Sequence, residues 1–228
     1  MNRLARAPTL FRSAFLCLAL LARSAAAQDG GPDNSAHGQM IKLPTAYTTS
    51  IRAYVAGPPD ARLGVLLVHD RWGLGDQVRA WADRIAALGY RAVAIDLYDG
   101  RPVTKVSLGP EIWRSIDPVW IEADMDGGLA YLQRTQTRIV AAGWGNGIGP
   151  VGDLARRSGN ALSGLILYYD EGTRDQATHL PTRLTMPVLD ISVARSLVYP
   201  IRDPATDKAT ADVWQATQQF LARFAEGP

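Results

Sequence analysis

The chain has 228 residues, of which 47% are hydrophobic and 20% charged. This composition suits one globular domain with a sizeable core and excludes an intrinsically disordered protein. The formal charge of +2 is too small to point to nucleic acid or an anionic membrane as a partner.

Residues 1–27 have the three parts of an export signal. Arg3, Arg6 and Arg12 give a basic start, residues 14–22 (AFLCLALLA) a short apolar core, and Ala25-Ala26-Ala27 a small-residue cleavage site before Gln28. The apolar run falls short of the ~20 residues that span a bilayer, so a cleaved signal with no membrane anchor is expected, and with it a periplasmic or secreted protein. Cleavage takes four arginines and no acid, so 24 basic residues become 20 against 22 acidic ones, net −2. Cys17, the sole cysteine, also lies in this segment. The mature chain is thus expected to have no disulfide, no thiolate nucleophile and no cysteine metal ligand. Leu16 stands where lipoprotein processing would need a small residue, which argues against lipidation.

Residues 28–38 (QDGGPDNSAHG) read as a flexible lead-in, with His37 a solvated tail residue. A single domain is expected from 39 to 228. Residues 40–43 and 50–56 read as strands, and 62–69 (RLGVLLVH) as a strand buried on both faces. Residues 77–88 place Val78, Trp81, Ala82, Ile85 and Leu88 at helical spacing, and Gly89 caps that helix. Residues 91–97 (RAVAIDL) form the next strand and complete a β-α-β unit, which demands a parallel sheet. A second helical stretch lies within 111–135, with Pro118 near its start. Strands at 138–142, 162–169 and 186–192 and helices at 151–157 and 209–224 follow. Strands alternating with helices on short connections imply an α/β doubly wound sheet.

The stretch 141–149, AAGWGNGIG, joins a buried strand to a helix through a glycine-rich turn. In α/β enzymes such a turn commonly carries a nucleophile in the frame Gly-x-Ser-x-Gly. Here the frame is Gly143-Trp144-Gly145-Asn146-Gly147, with glycine at the centre.

Four stretches, in order and spacing, resemble the dienelactone hydrolase family: Val68-His69-Asp70-Arg71-Trp72-Gly73; Leu88-Gly89-Tyr90 through Asp96-Leu97-Tyr98; Gly143 to Gly147; and Leu167-Tyr168-Tyr169-Asp170-Glu171-Gly172 with Met186-Pro187-Val188-Leu189. The similarity runs from about Ser50 to the final helix. It implies an α/β-hydrolase-like fold, a mostly parallel central sheet with helices on both faces, and an ester- or lactone-cleaving chemistry. That chemistry needs a nucleophile, a base and an orienting carboxylate, in the chain order nucleophile, acid, histidine. Gly145 occupies the nucleophile position. The acid is implied near Ser196, yet no Asp lies between Asp190 and Asp203. The histidine is implied before the last helix, yet none follows His179.

No catalytic set is therefore expected. His179 precedes the strand at 186–192, which places it at the sheet edge opposite the elbow. His69 reads as a buried histidine bonded to backbone. What is expected to survive is a binding cleft formed by His69, Asp70, Arg71, Trp72, Arg101, Gly145, Asn146 and Tyr169. The backbone N–H groups of Asn146 and Arg71 would point into it, and Arg71 with Arg101 would grip a small anionic or carboxylate-bearing ligand. Trp72, Trp144, Tyr98 and Tyr169 are candidate walls. A protein partner is the other expected role, and no cofactor is expected. Two alternatives stand beside this reading. One is a weak or unconventional ester or lactone hydrolase using His69 or a serine. The other is dinucleotide binding through Gly147, Gly149 and Gly152, with Asp170 for the ribose. Pro150 and the late start of that glycine pattern count against the second. No Cys/His cluster, HExxH or paired-carboxylate spacing points to a metal or to glycosidase chemistry.

Overall fold

The computed structural model describes residues 37–47, 49–105, 107–169, 184–192 and 208–225. The described residues all fall within one compact unit. The expected leader, nearly all of the lead-in, and Asp170, Glu171, His179, Ser196 and Asp203 lie outside the described residues.

Seven strands make one sheet: β1 (Gln39–Pro44), β2 (Ser50–Ala56), β3 (Leu63–Val68), β4 (Arg91–Ile95), β5 (Arg138–Trp144), β6 (Gly164–Tyr169) and β7 (Val188–Ser192). Their order is β1-β2-β4-β3-β5-β6-β7. The β1–β2 and β2–β4 pairs are antiparallel, and every pair from β4 through β7 is parallel. The inner parallel strands β3, β4, β5 and β6 are apolar runs because helices cover both faces, whereas β7 at the edge is half-exposed.

The two faces follow the two-residue period of the strands. In β5, Ile139 and Ala141 face one core with Ile112, Met125, Leu129, Ile148 and Leu154. Val140, Ala142 and Trp144 face the other, with Trp81, Ile85, Phe220 and Leu221. The second face carries α1 (Asp76–Ala87) and α5 (Lys208–Ala225), and the first carries α2 (Leu108–Ser115), α3 (Pro118–Gln133) and α4 (Ile148–Arg157). α1 stops where expected: Gly89 takes φ +84°, and its N–H donates to the Ala86 carbonyl.

The helix expected within 111–135, with Pro118 near its start, is α3, and the short α2 before it is an addition to the expected elements. Asp117 caps α3, its carboxylate accepting the Val119 N–H at 2.9 Å while Pro118 takes the first helical position. α4 also begins earlier than the residue-151 start expected from the sequence, directly after a one-turn 3-10 helix at Gly145–Gly147.

Candidate functional site

Val68 pairs with Gly143, so the loop leaving β3 and the turn leaving β5 emerge side by side at the carboxyl edge of the sheet. The turn has the shape expected of a nucleophile elbow. Gly145 is buried at its apex with φ +49°, in the left-handed region that side chains disfavour. The flanking glycines are steric necessities. A Cβ on Gly143 would lie 2.6 Å from the Gly147 carbonyl oxygen. One on Gly147 would lie 2.6 Å from the Val68 carbonyl oxygen and 2.7 Å from that of His69.

His69 is fully buried, with both hydrogen bonds made to backbone, the Tyr98 ring edge-on at 4.8 Å and the Asp96 carboxylate 4.0 Å away. Its Nδ1 lies 2.7 Å from the Asp70 carbonyl oxygen and therefore carries the proton, while Nε2 accepts the Leu97 N–H at 3.0 Å. Burial pushes the imidazole below its ordinary pKa, against the smaller opposing effects of the Asp70 carbonyl and the Asp96 carboxylate. A neutral ring with both nitrogens engaged presents no base to a substrate. It contributes to the site by fixing the loop that Asp70, Arg71 and Trp72 occupy.

That loop is shaped by its own side chains. The Asp70 carboxylate accepts the Trp72 N–H at 2.9 Å. Tyr98 is buried, and its hydroxyl donates between the carbonyls of Arg71 (2.9 Å) and Gly109 (3.2 Å). Burial raises the Tyr98 pKa and the Asp70 charge adds to the rise, whereas Arg101 and Arg71 both oppose it. Both arginines are near enough to the phenol for their charges to act on it. Arg101 is also tethered, its Nε donating to the Tyr98 carbonyl at 3.0 Å.

Tyr169 ends β6, buried in the core of the α2–α4 face and in register with Ser192. Trp144 does not wall the cleft. Strand parity turns it to the α1 face, where it stacks on Tyr168 with centroids 4.8 Å apart and meets Trp81 edge-on. The glycines of the dinucleotide pattern lie in the 3-10 turn (Gly147) and inside α4 (Gly149, Gly152), not in a loop that cradles phosphate. No group of three or more metal-ligating side chains occurs among the described residues, and no described helix is long and apolar enough to cross a membrane.

Beside the elbow, between α2, α3 and α4, lies a cavity of about 290 Å³. Trp113, Pro118, Ile121, Met125 and Pro150 give it apolar walls, and Asn146, one residue past the elbow apex, gives it a polar one. Of these only Asn146 is a site residue expected from the sequence. Trp113, Pro118, Ile121 and Met125 meet there because α2 packs beside α3, and α2 is not among the helices expected from the sequence.

Three comparisons bear on this architecture. A protein of Saccharolobus solfataricus assigned as a carboxymethylenebutenolidase is 42% identical over 48 residues, a match spanning 21% of this chain and 19% of that one. The crystal structure of a dienelactone hydrolase-like promiscuous phosphotriesterase from metagenomic libraries superposes with a TM-score of 0.62 at 17% identity, over 82% of this chain and 99% of the other. A structure assigned as a dienelactone hydrolase of Klebsiella pneumoniae gives a TM-score of 0.64 at 17% identity, over 83% and 98% of the two chains. These structures share the fold. The sequence model of the dienelactone hydrolase family matches residues 51–195, more than half of the chain. With the elbow and the parallel sheet in place, the chain belongs to the dienelactone hydrolase family.

Proposed function

We propose that this chain is an exported member of the family that binds a small molecule at its retained elbow and β3 loop and does not hydrolyse it. The observation that carries the reading is Gly145: the turn holds the conformation that presents a nucleophile, and the residue there has no side chain. Two features support it. His69 has both ring nitrogens committed to backbone. No histidine follows His179 in the sequence. With triad members absent, oxyanion donors and binding alone give only weak rate assistance. Arg71, whose carbonyl accepts the Tyr98 hydroxyl, and Arg101, whose Nε donates to the Tyr98 carbonyl, suit a carboxylate-bearing ligand. The basic start, apolar core and Ala25-Ala26-Ala27 support export.

The test is chemical. Protein recovered from expression of the full chain is exposed to a fluorophosphonate probe and assayed on aryl esters and simple lactones. Neither a covalent adduct nor turnover above buffer is expected. An adduct, or turnover that disappears when a serine such as Ser192 is replaced, overturns the reading in favour of an unconventional hydrolase. Export is tested by cell fractionation and amino-terminal sequencing, with a start at Gln28 expected and an intact Met1 start opposing it.

A further inference from the structure

The cavity between α2, α3 and α4 is chemically unlike the loops that carry Arg71 and Arg101. It lies where two helices begin, a place that ordinarily offers unpaired N–H groups to anions. Here proline stands in both first turns, Pro118 of α3 and Pro150 of α4, and each offers a ring in place of a donor. The rim carries Glu122, Asp153 and Arg157. Arg157 is already engaged, donating to Asp126 at 2.9 Å with Glu122 3.8 Å away. Asp153 is in turn paired with Arg156 at 3.3 Å, so among the described residues three carboxylates (Glu122, Asp126, Asp153) face two guanidiniums and the rim is negative on balance. Inside, Trp113, Ile121 and Met125 form apolar walls, and Asn146 supplies an amide able to donate or accept. Gly149 matters most to the shape, because a Cβ there would meet nothing within 4 Å, so the empty space continues to the α4 backbone.

From these features we infer a second binding site, one that takes a small neutral ring compound, two fused rings at most, with one hydrogen-bonding group for Asn146, and that excludes carboxylates. At about 290 Å³ it is at the small end of ligand pockets. The carboxylate is excluded twice, by the acidic rim and by an interior that, among the described residues, has no cation other than the engaged Arg157 to replace its hydration. This site stands whether or not the elbow has lost its chemistry.

The experiment is an NMR titration of the full chain, labelled at its methionine methyls, with 2-naphthol and with 2-naphthoate, which match in shape and differ in charge. Saturable binding of 2-naphthol is expected, shifting the Met125 methyl and leaving that of Met40, which packs on the opposite face of the sheet. The naphthoate should bind about ten-fold more weakly or worse. Gly149→Leu should fill the space and weaken 2-naphthol by about ten-fold or more while keeping the unfolding midpoint, since φ there is unremarkable and glycine is a poor helix residue. Glu122→Gln with Asp153→Asn, both exposed, should bring the naphthoate within about three-fold of the naphthol. The inference is overturned by no saturable naphthol binding, by equal binding of the two probes, or by a shift at Met40 in place of Met125. Unimpaired binding to a folded Gly149→Leu protein overturns it as well. Should that variant not fold, the methyl shifts and the charge pair decide alone.

Discussion

The imidazole of His69 accepts the amide proton of Leu97 at 3.0 Å, a bond across 28 residues of sequence that ties the end of β3 to the end of β4. It is a brace between two loops at the carboxyl edge, made in the dry interior of a parallel sheet. Replacing it removes two hydrogen bonds and leaves the Leu97 N–H and the Asp70 carbonyl to find other partners.

His69→Ala is therefore expected to destabilise the protein by about 2–4 kcal/mol, measured by urea unfolding, the range for a buried group whose partners are left unsatisfied. A pH dependence comes with it. The folded pKa of His69 lies below its unfolded value, so the unfolded state binds the extra proton. Stability is full above the unfolded pKa of about 6.5 and declines as pH falls below it toward the folded pKa. The wild-type urea midpoint should drop between pH 7 and pH 5, and the drop should be smaller in His69→Gln. Equal slopes in the two proteins would disprove the neutral, buried state of the ring.

Asp124 should pull the other way. Burial, with the Asp99 and Asp96 charges adding to it, raises this carboxyl to about 6. A raised folded pKa contributes stability at low pH that is lost as pH rises through about 6. Asp124→Asn should hence stabilise the protein at pH 7.5 by on the order of 1 kcal/mol, less than the full shift would give because the group is partly solvated. At pH 3.5, below the ordinary carboxylate value of 3.8, the gain should nearly vanish. Differential scanning calorimetry at the two pH values checks it, and an equal effect at both would refute the shift.

The outer glycines of the elbow should be far less tolerant. Gly147→Ala puts a methyl 2.6 Å from the Val68 carbonyl oxygen, a contact with rigid backbone that no rotamer relieves. We expect a loss of about 3 kcal/mol or more, or no soluble protein at all. Gly149→Ala, two residues on and facing open space, is the control and should be neutral or mildly stabilising.

Tyr98→Phe removes the hydroxyl that bridges the Arg71 and Gly109 carbonyls. A cost of about 1–2 kcal/mol in urea unfolding is expected, and the loop carrying Arg71 and Trp72 should exchange its amides faster. Unchanged exchange in that loop would show that Asp70, through its bond to the Trp72 N–H, holds it unaided.

Much of this is legible in the sequence. Runs such as Val65-Leu66-Leu67-Val68 and Ile139-Val140-Ala141-Ala142 are apolar on successive residues, and only a strand covered on both faces uses such a run. The elbow was legible for a related reason: glycines two residues either side of an apex are needed where backbone meets backbone. Trp144 was misplaced although strand parity alone assigns its face, since it shares the parity of Val140 and Ala142. The start of α3 is legible from Pro118, whereas α2 before it, eight residues long, is too short to show a helical stripe. His69 shows where local reading stops, because its donor from Leu97 becomes its neighbour only once β3 and β4 are known to lie side by side.

The elbow holds a last consequence. Its shape is enforced by Gly143 and Gly147 against the carbonyls around them, and the apex residue plays no part in those contacts. The turn is accordingly a preformed mount. An engineer placing a nucleophile at position 145 would inherit the attack trajectory from the scaffold, and the remaining design problem would be to install a base within reach of it.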